Sequence, residues 1–200
     1  MTLTITDVEK IINSGLATSI VKSEINFEQL FIDIEVENFI SVMLFLKTNE
    51  KCKFRQLIDI TAVDYPGREK RFSIIYILLS HENNHRAIIK ADIAINTKVQ
   101  SVINIFPSAN WMEREVFDMY GVIFDNHPDL RRILTDYEFE GYPLRKDFPL
   151  SGHTEVRYSE DKKKVIHEPV KLEQNYRDFD FESPWEGTKY IKEQIKEKKD

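Results

Sequence analysis

Apolar residues recur at helical spacing in some stretches of this chain and at every second position in others, and the two periods divide its first half into elements. Val8, Ile11 and Ile12 give residues 6–13 the face of a short N-terminal helix. Residues 20–25 and 29–36 read as two strands across a polar turn, with Leu30, Ile32 and Ile34 alternating with Phe31, Asp33 and Glu35. Phe39, Ile40, Met43, Leu44 and Leu46 mark a broad apolar face on a helix over 37–47, ended by the polar run 48–53. Three further strands follow at 54–64, 72–79 and 86–93, separated by the Pro66-Gly67 turn and by the polar 81–85 segment. The pattern predicts an α+β fold, a mainly antiparallel or mixed sheet with covering helices, whose strand order stays open because the 37–47 helix permits a parallel crossover.

Beyond this sheet the periodicity weakens. Residues 99–106 read as a short helix that Pro107 interrupts, and a second helix begins near Asn110. Asn110 and Glu113 have the spacing of a capping box, Met112, Val116, Met119 and Tyr120 share one face, and Arg114 and Asp118 sit four apart on the other. Gly121 suits the left-handed position that closes a helix. From Phe124 onward, Pro128, Pro143, Pro149, Pro169 and Pro184 cut the chain into short lengths, yet large apolar residues keep arriving between the charges. The division expected is a core domain over 1–122, an irregular partner-binding extension over 123–190 that includes a long extended C-terminal arm, and a charged tail over 191–200. In that arm Phe148, Tyr158, Phe179, Phe181 and Trp185 are the residues expected to bury against a neighbour.

Composition narrows the classes. A hydrophobic fraction of 42% with 12% aromatics excludes a wholly disordered chain. The net charge of −6 makes bulk nucleic-acid binding a poor first reading. Cys52 is the only cysteine, which rules out an intrachain disulfide and a thiolate cluster held by this chain alone. The apolar run 39–46 is far short of the roughly 20 residues that span a bilayer, and the acidic start of the chain lacks the form of a secretory signal. These features suggest a soluble chain from a reducing compartment.

Candidate chemistry is sparse. Glu113, Glu115, Asp118, His127 and Asp129 supply oxygen and nitrogen ligands, but without a metal-binding spacing. Arg131, Arg132, Arg145 and Lys146 offer forked and point-charge donors suited to phosphate, and a nucleic-acid-binding regulatory module built on them is the alternative reading. Asp129, Asp136, Glu138, Glu140 and Asp147 neutralise that neighbourhood, so arginine–carboxylate pairs fixing the irregular segment against itself and a partner are the sharper expectation. Cys52 has no catalytic company, and no dinucleotide loop is present.

The ordered motifs carry a resemblance. Trp111-Met112-Glu113-Arg114-Glu115-Val116-Phe117-Asp118-Met119-Tyr120-Gly121 is followed by His127-Pro128-Asp129-Leu130-Arg131-Arg132-Ile133-Leu134. Then come Asp136-Tyr137, Gly141 and Pro143-Leu144-Arg145-Lys146-Asp147-Phe148-Pro149-Leu150. With Asp59-Ile60-Thr61, Asp64-Tyr65-Pro66, Glu155-Val156-Arg157-Tyr158 and Phe179-Asp180-Phe181-Glu182-Ser183-Pro184-Trp185, the chain closely resembles the 30-kDa subunit family of respiratory complex I, the C-type subunits of bacterial NADH-quinone oxidoreductases. Tyr142 is a departure, standing where family members often carry histidine.

The resemblance implies a non-redox scaffold subunit of the peripheral arm, bound beside the D-like 49-kDa subunit near the quinone module and close to B- and I-like subunits. It implies that FMN and the iron–sulfur clusters lie in those partners, and that NADH and quinone are used by the whole proton-translocating complex. The expected location is the cytoplasmic face of a bacterial inner membrane, or the matrix face in an organelle. Trp111, Glu113, Arg114, Glu115, Asp118, Tyr120, His127, Asp129, Arg131, Arg132, Arg145, Lys146 and Asp147 are its structural or interface candidates, together with the five arm residues above. No catalytic, cofactor-binding or metal residue is expected.

Overall fold

The computed structural model describes residues 3–172 and 174. Contacts divide the chain into two compact units, Met1–Gly152 and His153–Asp200. In the first, a five-stranded sheet runs in the order β1-β2-β5-β4-β3, with β1 Ile20–Asn26, β2 Gln29–Ile34, β3 Gln56–Asp64, β4 Phe72–Ser80 and β5 His85–Ile93. Every neighbouring pair is antiparallel except β2 and β5, which are parallel with Leu30 opposite Ala87. The sheet is therefore mixed, as the pattern allowed, and the crossover that makes it so spans β3 and β4 as well as a helix.

Alternation sets the core. Leu30, Ile32 and Ile34, then Ile74, Tyr76 and Leu78, then Ala87, Ile89 and Ala91 are buried on one face. Helix α1 (Ile5–Gly15) adds buried Val8 and Ile12, and α2 (Phe39–Thr48) adds Phe39, Val42, Met43 and Leu46, the i, i+3, i+4, i+7 stripe of a core helix. Each such side chain contributes about 1.5–3 kcal/mol by leaving water. Thr4 caps α1 in a reciprocal box with Asp7. A single 3-10 turn, Val36–Asn38, occupies the start of the segment expected to be helical from residue 37.

The second half departs from its sequence pattern in three places. Residues 99–106 do not form a helix. Val99 lies in β6 (Lys98–Gln100), paired parallel to β7 (Ile123–Asp125), and one turn closed by Phe106 N–H to the carbonyl of Val102 follows. Pairing with a strand far along the chain outweighs local helical spacing there. Helix α3 begins at Ala109 with Ser108 at its N-cap and no side-chain cap, so Asn110 lies inside the helix, the Asn110–Glu113 box does not form, and Glu113 turns inward. Arg114 and Asp118 likewise do not pair on α3; each binds the segment at 131–135. Gly121 does close α3, with φ +76° and its N–H on the carbonyl of Phe117.

The first unit continues past residue 122, since Val122 and Phe124 belong to the hydrophobic core and the chain to Gly152 returns repeatedly to α3 and β3. The second unit contains an antiparallel hairpin, β8 (Thr154–Ser159) and β9 (Lys164–Pro169), braced by Arg157 Nε and Oε1 of Glu168 at 2.6 Å. Lys162-Lys163-Lys164 is exposed and forms the turn and start of β9, with Lys163 at φ +47°. The long extended arm expected within residues 123–190 thus includes a hairpin. Phe179, Phe181 and Trp185 and the tail 191–200 lie outside the described residues.

A candidate docking site anchored on buried carboxylates

Helix α3 (Ala109–Tyr120) is built with two carboxylates on its buried face, Glu113 and Asp118, both with fully buried side chains. Asp118 organises the irregular chain beyond β7. Its Oδ2 accepts the backbone N–H groups of Ile133, Leu134 and Thr135 at 3.0, 2.8 and 2.9 Å, and its Oδ1 accepts the Thr135 hydroxyl at 2.6 Å and Arg132 Nη1 at 2.9 Å. Burial alone pushes this carboxyl up, but the Thr135 hydroxyl and the three amides outweigh it and hold the group down at about 2. Asp118 is therefore an anion fixed inside a cage of donors.

Neighbouring contacts extend this cage. Arg132 gives its other fork nitrogen to the carbonyl of Gly141 at 2.9 Å, and Arg114 satisfies the carbonyls of Arg131 and Arg132 at 3.0 and 3.1 Å. His127 has a fully buried side chain, donates from Nε2 to the carbonyl of Asn110 at 3.0 Å and accepts the Asp129 N–H on Nδ1 at 3.1 Å, a pattern that fits the neutral ring. Arg131 is exposed and pairs with Asp129 at 2.9 Å.

A second carboxylate anchor ties the following segment to the sheet. Asp64, at the end of β3, takes a two-pronged contact from Arg71 at 2.6 and 2.8 Å and the backbone N–H of Lys146 at 2.7 Å. The Arg71 hydrogen bonds hold its carboxyl below the usual range. Arg71 also reaches Asp147 at 2.9 Å. Arg145 was expected to find a carboxylate, but its Nε donates to the carbonyl of Tyr120 at 2.6 Å while the guanidinium lies 4.2 Å from the Tyr142 ring centre and 5.2 Å from that of Phe72. The nearby carboxylates of Asp64 and Asp147 are taken by Arg71, and the Tyr120 carbonyl at the end of α3 accepts this donor instead. Phe148 stacks on Phe139 at 5.8 Å and lies so close to Gly141 that a Cβ there would fall 2.8 Å from its ring.

Large hydrophobics stand exposed on this segment and on α3 beside it, among exposed charges such as Arg131, Asp136 and Glu138. Trp111 is 70% exposed, Leu134 62% and Leu150 89%, and Tyr137 is fully exposed. Trp111, Met112, Ile133 and Leu134, with Pro107 and Glu115, line an open groove of about 590 Å³ on the outer side of α3. Isolated surface hydrophobics are ordinary, but a groove walled by them beside a rigid polar cage is a form that suits docking.

The sequence candidates thus separate. Glu113, Arg114, Asp118, His127, Arg132, Arg145, Asp147 and Phe148 make contacts inside the first unit; Trp111 and Glu115 face the groove; Lys146 contributes its backbone amide to Asp64; and the Tyr120 ring packs edge-on to Phe72. Tyr158 is exposed on β8 of the second unit. Sequence reasoning missed Arg71, Thr135 and Ser101. Arg71 was findable, since it flanks the same Pro66-Gly67 turn as Asp64; Thr135 and Ser101 carry no local signal. With the three arginines committed to groups of this chain, the phosphate-gripping set of the nucleic-acid reading is not assembled. No group of three metal-ligating side chains forms among the described residues, and no helix among them is long and apolar enough to cross a membrane. Burial pushes the Cys52 thiol up to about 11, the opposite of a reactive thiolate.

Fold and site together define a small mixed-sheet domain that carries an irregular, carboxylate-anchored surface layer. The chain belongs to the family described as respiratory-chain NADH dehydrogenase, 30 Kd subunit, which residues 32–154 match. It is 55% identical over 168 residues to the C-type subunit of NADH-quinone oxidoreductase from Roseobacter denitrificans, covering 84% of each chain. It is 50% identical over 188 residues to the corresponding subunit of Paramagnetospirillum magneticum, covering 94% of each. Among solved structures, it matches the trypsin-resistant fragment (1-134) of Nqo5 with a TM-score of 0.54 and 28% identity, over 62% of this chain and 98% of that one. A chain of the membrane-bound sulfane sulfur reductase, an archaeal respiratory membrane complex, matches with a TM-score of 0.63 and 26% identity, over 72% of this chain and 85% of that one.

Proposed function

We propose that this chain is the non-redox, C-type scaffold subunit of a proton-translocating NADH:quinone oxidoreductase, docking through the surface from Trp111 to Leu150. The observation that carries the reading is the groove walled by Trp111, Met112, Ile133 and Leu134, held in shape from beneath by Asp118. Family membership supplies the complex; the apolar groove supplies the face. The partner is a D-like 49-kDa subunit of the peripheral arm, with B- and I-like subunits nearby, and FMN and the iron–sulfur clusters reside in the partners. The chain is held at the cytoplasmic face of the membrane, or the matrix face in an organelle, by the rest of the complex. Phe148 packs inside the first unit, so the outward-facing Trp111 and Leu134 take the docking role that the sequence pattern suggests for it.

The test is a full-length double variant, Trp111→Ala with Leu134→Ala, expressed with the other subunits. Both side chains are exposed, so the isolated variant should unfold at the wild-type midpoint. Recovery of the D-like subunit with it should drop by tenfold or more, about 1.4 kcal/mol for each factor of ten. Undiminished recovery and full NADH:quinone activity would place docking elsewhere.

A further inference from the structure

Glu113 and Asp118 sit five residues apart on α3, both buried, in opposite surroundings. Asp118 has Arg132 and four other donors. Glu113 has two, both uncharged: the Ser101 hydroxyl at 2.6 Å from Oε2 and the Val102 N–H at 2.8 Å from Oε1. The groups packed around it supply no countercharge. From the β7 side, His127 Nε2 lies 4.0 Å from Oε2, but its proton points to the Asn110 carbonyl and its Nδ1 is occupied by the Asp129 amide. From β4, the buried Tyr76 phenol is neutral. From α2, Lys47 gives its amino group to the carbonyl of Ile105. On α3 itself, Arg114 is held by the carbonyls of Arg131 and Arg132. An unpaired carboxylate here would bear the full cost of burial.

We propose that Glu113 is a proton latch, present as the neutral acid when the 101–106 turn is seated on α3 and loosening that turn when it ionises. As an acid it both donates and accepts, so it can keep its contacts with Ser101 and Val102 without a buried charge. The turn leads directly to Pro107 on the wall of the groove, so the latch lies at the base of that surface. Burial pushes the carboxyl up to about 7, against the lowering effect of the Ser101 and Val102 hydrogen bonds. The ordinary value is 4.5, so the folded chain keeps a proton there that the unfolded chain releases. The stabilisation is complete below that ordinary value and is lost as pH rises through about 7.

The experiment compares thermal unfolding of the full chain and Glu113→Gln between about pH 5 and about pH 8, because glutamine keeps the shape and cannot ionise. Subtracting the two cancels every other titrating group. The midpoint of the variant should rise relative to wild type by about 5 °C or more across that interval. A pH-independent difference overturns the latch. Should the variant fold poorly, the wild-type chain with carboxyl-labelled glutamate decides by NMR. One glutamate carboxyl resonance titrating near neutrality supports the proposal, and all of them titrating in the ordinary acid range overturns it.

Discussion

Arg132 binds Asp118 at 2.9 Å, and Asp118 in turn caps three consecutive amides, those of Ile133, Leu134 and Thr135. The two residues are 14 positions apart, and the chain between them has little regular structure. One buried anion thereby does for this segment what a row of ladder bonds does for a strand: it satisfies consecutive backbone donors and fixes their direction. Leu134 faces the groove because the amide beside it is held.

Asp118→Asn should be among the most damaging single changes. It removes the charge opposite Arg132 and can turn a donor toward three backbone donors, at a cost of about 3–5 kcal/mol. Denaturant unfolding measures this. A loss below about 1 kcal/mol, the size of a single neutral hydrogen bond, would mean that the cage is incidental.

Acid acts on the same cage. The Asp118 carboxyl is held at about 2 against an ordinary 3.8, so its stabilisation is present above the ordinary value and is lost as pH falls toward about 2. Amide exchange should therefore show Ile133, Leu134 and Thr135 losing protection in acid before the core strands do. Simultaneous loss across strands and cage would contradict this order.

Asp64→Ala should free the segment that begins at Lys146 without dissolving the sheet, since Asp64 holds the Lys146 amide at 2.7 Å and balances Arg71. Trypsin reads this directly, because Arg145 and Lys146 are both cleavage points. Cleavage there should accelerate at least about tenfold, the ratio for about 1.4 kcal/mol of local opening. An unchanged rate would remove Asp64 as the anchor.

Gly121→Ala meets two obstacles at once. The residue sits at φ +76°, and a Cβ there would lie 2.5 Å from Arg145 Nη2 and 2.6 Å from the Tyr142 ring. The strain alone costs about 1–3 kcal/mol, and the clash displaces Arg145 from the carbonyl it caps. A variant with wild-type stability would show that the α3 exit tolerates another path.

A chain ending at Gly152 should retain the cooperative unfolding of the first unit, whose core residues all precede that point. Its association with the D-like subunit should weaken if the arm with Tyr158, Phe179, Phe181 and Trp185 contributes to docking. Equal recovery of partner by the short and full chains would confine docking to the first unit.

The strands of the five-stranded sheet and helices α1, α2 and α3 were legible in the sequence, though not the strand order, because their apolar periods mark the faces that pack on one another. The 99–106 segment was not. Its apolar spacing suits a helix, but Val99 pairs with Phe124 and Glu113 claims the Val102 amide. The candidate site was legible in its members and not in its pairings. Arg145 reads as a carboxylate partner until the carbonyl of Tyr120 is seen at 2.6 Å.

The sequence by itself determined the family, the periodic elements, the left-handed stop at Gly121 and the absence of enough cysteines for a cluster, since each follows from residue identity or local spacing. Only the tertiary structure decided which buried carboxyl is held down as an anion and which is pushed up by burial. Glu113 and Asp118 are both acids on the inner face of one helix, and nothing local tells them apart. Asp118 meets Arg132 and the 133–135 amides because the chain returns there after β7, whereas Glu113 meets only a hydroxyl and one amide. A carboxyl's charge depends on the donors and countercharges brought to it, and folding brings those from distant parts of the chain.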